Sequence, residues 1–210
     1  LTRPLFRDTI GNVNQASPRP YTKVARAEAE ARTRAALIDA AQRLFFERGQ
    51  QGTSLDAVAA EAGVTKQTLL RHFGSKDGLM EQAFATAFDD VRDQRWEVPG
   101  DDVACAVDNL LDHYEAVGGR ALKIDAMAGA EAVAVWVRRA RELHYDWVDH
   151  AFGAFLRDLR GRDRARRRAA LIALCDVHTW STLSQHLGLG RAEVRATLIL
   201  AIQGVIKEDR

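Results

Sequence analysis

The stretch from Gly63 to Lys76, GVTKQTLLRHFGSK, gathers hydrogen-bonding and cationic side chains and contains no carboxylate. Lys66, Gln67, Thr68, Arg71 and His72 share the outward side of one short rod, and Leu70 adds apolar surface beside them. Such a set suits a polyanion: cations neutralise phosphates, while amide and guanidinium groups match base edges. Ser54, Thr65 and Ser75 each stand just before a helical run, where a hydroxyl caps the first turn. The exposed N–H groups of a helix start attract phosphate. Lys76 follows Ser75 directly, in a first turn where the helix dipole disfavours a cation. A lysine in that position makes sense facing a phosphate.

A rod that reads a groove must be held by a second helix packed across it. The spacing of Leu37, Ala41, Leu44 and Phe45 predicts a first helix from near Ala27 to a C-cap at Gly49. Leu55, Val58, Ala59 and Ala62 predict a second that stops at Gly63. Thr65 to about His72 forms the rod itself, with Leu69 inward and Gly74 ending it. A longer helix runs from Ser75 to about Glu97, with Leu79, Ala83, Phe84, Ala87, Phe88 and Val91 on one face. Beyond Pro99 and Gly100 the pattern predicts a helix through Ala104 and Tyr114 that ends at Gly118–Gly119, and a short one over 122–128. A long helix from Glu131 to Leu159 and a charged connector from Gly161 to Arg168 follow. The last two helices run to Leu187 and from Arg191 to about Lys207. The expected class is all-α. Residues 1–25 read as a flexible basic tail with Arg3, Arg7, Arg19 and Lys23, 26–74 as a helix-turn-helix DNA-binding domain, and 75–210 as a larger helical regulatory and dimerisation domain.

Composition narrows the alternatives. The 210 residues are 47% hydrophobic and 28% charged with a net charge of +1, so any basic surface must be local. The only two cysteines, Cys105 and Cys175, lie far apart, which supports neither a zinc finger nor a disulfide framework. Asp146 with His150, and Asp176 with His178, are too sparse for a metal site, so no metal or cofactor is expected. Without a nucleophile elbow or a glycine-rich phosphate loop after a strand, the reading is not an enzyme. No run reaches transmembrane length and no secretory core is visible, so no membrane partner and a cytoplasmic location are expected.

The segments LIDAAQRLFFERG, TSLDAVAAEAGVTKQTL and HFGSKDGL lie in register within Thr33–Met80. Together they resemble the DNA-binding domain of the TetR family of transcriptional regulators. The resemblance puts Thr65, Lys66, Gln67, Thr68, Arg71 and His72 on a recognition helix, puts Ser54 and Lys76 on phosphates, and brings Arg34 to the backbone or minor groove. Leu70 stands where the family usually has a tyrosine, and Gln50 where an aromatic usually follows the glycine. Leucine offers only apolar contact there.

The remaining two-thirds fits the family in being helical and of the right length. A ligand cavity is expected among its large side chains, with Phe88, His113, Tyr114, Met127, His144 and Trp147 as lining candidates. Polar groups among apolar neighbours need partners from protein or ligand. The effector is expected to be mainly hydrophobic. Apolar rows near the C-terminus hold Leu171, Cys175, His178 and Leu183, then Val194, Leu198 and Ile202. The family resemblance implies that these helices pair with a second copy as a four-helix bundle. The composite expectation is a ligand-responsive repressor that binds a pseudo-palindromic operator in double-stranded DNA as a homodimer. The alternatives are an all-α enzyme and a ligand-independent architectural DNA-binding protein.

Overall fold

A computed structural model describes residues 20–126 and 131–207. These form helices throughout: α1 (Pro20–Gly52), α2 (Leu55–Glu61), α3 (Lys66–Phe73), α4 (Lys76–Arg95), α5 (Val103–Ala126), α6 (Glu131–Phe152), α7 (Gly161–Leu174), α8 (Val177–Ser181) and α9 (Arg191–Ile206). A π-helical turn, Thr182–His186, continues from α8. No strand occurs among the described residues.

Local chemistry explains the first four helices. Gly49 breaks the end of α1 with φ 70°, and Thr53 Oγ1 donates to its carbonyl at 2.8 Å. Gly63, at φ 68°, turns the chain between α2 and α3 in a conformation that a Cβ would strain. Ser54, Thr65 and Ser75 cap α2, α3 and α4, accepting from the amides of Ala57, Thr68 and Gly78. The predicted stops and caps therefore fall where expected. The first helix begins earlier than Ala27, at Pro20, a residue whose fixed φ suits a helix start. Tail residues 1–19, with Arg3, Arg7 and Arg19, lie outside the described residues, as does Met127.

The C-terminal helices depart further from the expected boundaries. The Gly118–Gly119 pair does not end α5, which runs on to Ala126. Gly118 is instead a packing point: a Cβ there would lie 2.6 Å from the Trp180 ring. The supposed connector Gly161–Arg168 is the first half of α7. The helix expected to reach Leu187 breaks at Cys175, because Asp176 caps a new start by accepting from the His178 amide.

Two apolar cores result. The N-terminal core unites Leu37, Ala41, Leu44, Phe45, Val58, Leu69, Leu79 and Phe84. It extends past the expected boundary at residue 74, taking Leu79–Phe84 from α4 and Val133 from α6. The C-terminal core unites Val107, Leu110, Leu111, Tyr114, Trp147, Phe152, Leu171, Cys175, Leu198 and Ile202 from α5, α6, α7 and α9. Helix α6 reaches both, and α4 meets the second only at Arg95, whose carbonyl accepts from Trp147. Side-on ion pairs of Arg195 with Asp108 and Arg168 with Asp149 tie α9 to α5 and α7 to α6 at the surface.

Candidate nucleic-acid interface and regulatory core

The short rod α3 is seated by Leu69, which is fully buried against the N-terminal core. Burying that one side directs its neighbours outward. Gln67, Leu70 and Arg71 are exposed, Thr68 and His72 half-buried. Among the described residues no hydrogen bond or ion pair holds Gln67 or Arg71 (their polar groups are available). Leu70 is 37% exposed, an apolar spot on an otherwise polar face.

The other expected contacts are partly engaged within the chain. Lys66 Nζ donates to Asp56 Oδ2 at 2.9 Å, so α2 supplies a carboxylate beside a face whose own sequence has none. Both groups are well exposed, and such a pair holds the lysine only weakly. Thr65 Oγ1 lies 3.0 Å from Thr68 Oγ1 at the start of α3. Arg34 donates to Gln82 Oε1 at 2.7 Å and lies 4.8 Å over the Phe73 ring, which fixes it at the junction of α1, α3 and α4. His72 Nε2 is buried without a partner. Ser54 is exposed at the start of α2, and Lys76 is half-buried in the first turn of α4.

In the C-terminal part, four of the six expected ligand residues meet. Trp147, fully buried, donates its Nε1 to the Arg95 carbonyl at 3.0 Å. Tyr114 donates to the Cys175 carbonyl at 2.9 Å, and its ring lies against those of His113 and Trp180. His144 donates Nε2 to the Ile172 carbonyl at 3.0 Å, leaving Nδ1 buried and unpartnered. His113 Nδ1 pairs with Gln94 Oε1 at 3.3 Å. Burial pushes the His113 imidazole down to about 3, with the Arg95 charge adding to the effect, and lowers His144 in the same sense. Burial also pushes the Cys175 thiol up to about 12 and raises the Tyr114 phenol. Phe88 lies apart, packed near Trp136 at 6.1 Å.

The group these residues surround is Arg95, which the apolar patterning of the sequence does not single out. Its guanidinium lies 4.0 Å above the Trp147 ring, and its Nε and Nη2 have no hydrogen-bond partner. A signal was present: Arg95 stands seven and eleven residues after Phe88 and Phe84, on the inward face of the same helix. Surface cavities among the described residues lie elsewhere. One of about 250 Å³ is lined by Phe45, Glu81, Phe84, Val133 and Trp136, and one of about 380 Å³ by Val137, Arg138, Arg141 and Tyr145.

Of the residues expected at a dimer face, Leu171, Cys175, Val194, Leu198 and Ile202 are buried in the chain's own core. His178 is exposed but pairs with Asp125 Oδ2 at 3.0 Å, and Leu183 is half-buried. The apolar side chains left on the surface of this region are Leu187 and Leu200, 63% and 74% exposed. His150 Nε2 meets the Val98 carbonyl, and Asp176 is occupied as a helix cap.

A three-helix domain with a capped, outward-facing rod, mounted on a larger helical core, defines the class of helix-turn-helix proteins. Residues 37–83 match the family described as bacterial regulatory proteins, tetR family. Over 53 residues it is 42% identical to the biofilm operon icaADBC HTH-type negative transcriptional regulator IcaR of Staphylococcus aureus, covering 25% of this chain and 28% of that protein. Over 49 residues it is 43% identical to the HTH-type transcriptional regulator TtgR of Pseudomonas putida, covering 23% of each. The chain thus matches about a quarter of the length of these relatives. The fold as a whole resembles a TetR-family transcriptional regulator from Streptomyces coelicolor, at a TM-score of 0.61 and 20% identity over 82% of this chain and 81% of that one. Among the described residues no helix is long and apolar enough to cross a membrane.

Proposed function

We propose that this chain is a DNA-binding transcriptional regulator that acts as a homodimer on a pseudo-palindromic operator, most simply as a repressor. The observation that carries the reading is α3, a rod seated by Leu69 with Gln67, Leu70 and Arg71 directed to solvent. Arg71 suits a guanine edge, Gln67 an adenine edge, and Leu70 a thymine methyl. The capped starts of α3 and α4, with Lys76, suit flanking phosphates. Leu187 and Leu200 supply the apolar surface on which a second copy would pack. Repression is favoured by the likeness to IcaR, a negative transcriptional regulator.

A small-molecule effector would act through α4. Its 20 residues span about 30 Å, with the DNA-binding block at one end and Arg95 at the other. An effector shifts the equilibrium only if it prefers the state that does not bind DNA. The test is selection of DNA from a random pool by the intact protein. An enriched inverted repeat is expected, and Arg71→Ala should weaken it by about 1–3 kcal/mol. Leu200→Glu should leave a folded protein of half the mass. No enriched sequence would overturn the reading.

A further inference from the structure

We infer that Arg95 is the receptor for the carboxylate of a small apolar monocarboxylic acid, and that this acid is the effector; the second half rests on the regulatory reading above. Arg95 closes α4 inside the C-terminal core and is 3% exposed. A buried cation is costly unless it is paired and hydrogen-bonded. The titratable groups that act on its charge in favour of keeping it are the Tyr114 hydroxyl and the Cys175 thiol, both neutral. Asp176 acts on Tyr114, Cys175 and His144 but is spent as the cap of α8. His113 and His144 offer Arg95 only repulsion when charged.

The class of ligand follows from which atoms are open. The unpartnered donors are Nε and Nη2, the side-on edge of the guanidinium. With that same edge Arg168 grips Asp149 at 2.7 and 2.8 Å, and Arg195 grips Asp108 at 2.6 and 2.9 Å. Two parallel donors match the two oxygens of one carboxylate. Apart from the neutral imidazoles of His113 and His144, the side chains of the surrounding core are apolar or aromatic, Trp147 foremost, so most of the ligand is apolar. A strongly hydrated inorganic ion would lose its water to two donors only. His144 Nδ1, an acceptor while the ring is neutral, gives a hydroxyl or amide on that body a second anchor.

The experiment follows the melting temperature and tryptophan fluorescence of the intact protein with benzoate and with octanoate. Benzyl alcohol, octan-1-ol and sodium chloride serve as matched controls. At least one acid should raise the melting temperature saturably, while the alcohols and chloride do not. Arg95→Met should fold at least as stably as the parent, because an unpaired buried charge is gone, and should lose the response. Arg95→Lys keeps the charge without the two-donor edge, and should bind the acid at least about tenfold more weakly. Should the methionine variant fail to fold, the lysine variant carries the same test. An equal response to chloride or to the alcohols, a response retained in both variants, or no response to either acid would overturn the site. DNA binding is measured separately without acid. Its absence would sink the regulator and leave acid binding standing, whereas acid binding with unchanged DNA affinity would sink only the effector role.

Discussion

In the N-terminal core, among the described residues, the fully buried polar side chain is Thr53, and its hydroxyl is spent on the Gly49 carbonyl. The C-terminal core buries Arg95, His113, His144 and Ser181, and leaves Arg95 and His144 with open valences. The first region keeps its inside apolar apart from the buried His72 Nε2 and displays Gln67 and Arg71 outward. The second keeps its polar groups inside and shows ion-paired arginines to solvent. A domain that docks on a large partner needs its chemistry on the surface, whereas a domain that admits a small molecule needs it within.

The largest expected effect tests whether the C-terminal core is packed around its polar groups or merely loose. Trp147→Ala removes the ring beneath Arg95 and the bond to its carbonyl, and should cost about 3–5 kcal/mol in urea unfolding. A loss below about 1 kcal/mol would mean a poorly packed interior and erase the contrast. Acid is the next probe. His113 has an ordinary value of 6.5 and is held near 3 when folded, so below pH 6.5 the unfolded chain takes up a proton that the folded chain refuses. Stability should therefore fall as pH drops from 6.5 toward 3, by about 1.4 kcal/mol per pH unit at most. That amounts to about 2 kcal/mol at pH 5, seen as a lower urea midpoint, and His113→Leu should flatten the slope. An acid loss as steep in the leucine variant would place the sensitive group elsewhere. The smallest effect belongs to the outward-facing region. Thr65→Ala removes the α3 cap, worth about 1 kcal/mol, and should speed hydrogen exchange at the Thr68 amide. Unchanged exchange would show that packing of Leu69 alone holds the rod.

The N-terminal region was legible because its signals are local. A cap hydroxyl or a positive-φ glycine acts within a few residues, so Ser54, Gly63, Thr65 and Ser75 announce their roles in the sequence. Gly118 misled because its reason is tertiary: the glycine makes room for Trp180, sixty-two residues on. In α9 the pattern could not choose a face. Leu198 and Leu200 are the same residue two positions apart, yet one is 1% exposed and the other 74%. A helix apolar on several sides carries no periodic signal to decide between core and surface. Arg95 was hidden by expectation, since an arginine at a helix end is ordinarily solvated.

The first turns of α6 carry Val133 into the N-terminal core, and Trp136 stacks on Phe84 at 4.8 Å. The same helix enters the other core at Trp147 and Phe152. The two blocks are therefore not interchangeable modules. A chimaera that keeps only the residues up to 74 and joins them to another helical protein would strip Leu79, Phe84 and Val133 from the N-terminal core, leave Phe45 without its ring neighbour and invite aggregation. A graft that also transplants Leu79–Phe84 and the Val133–Trp136 turn keeps the seam dry.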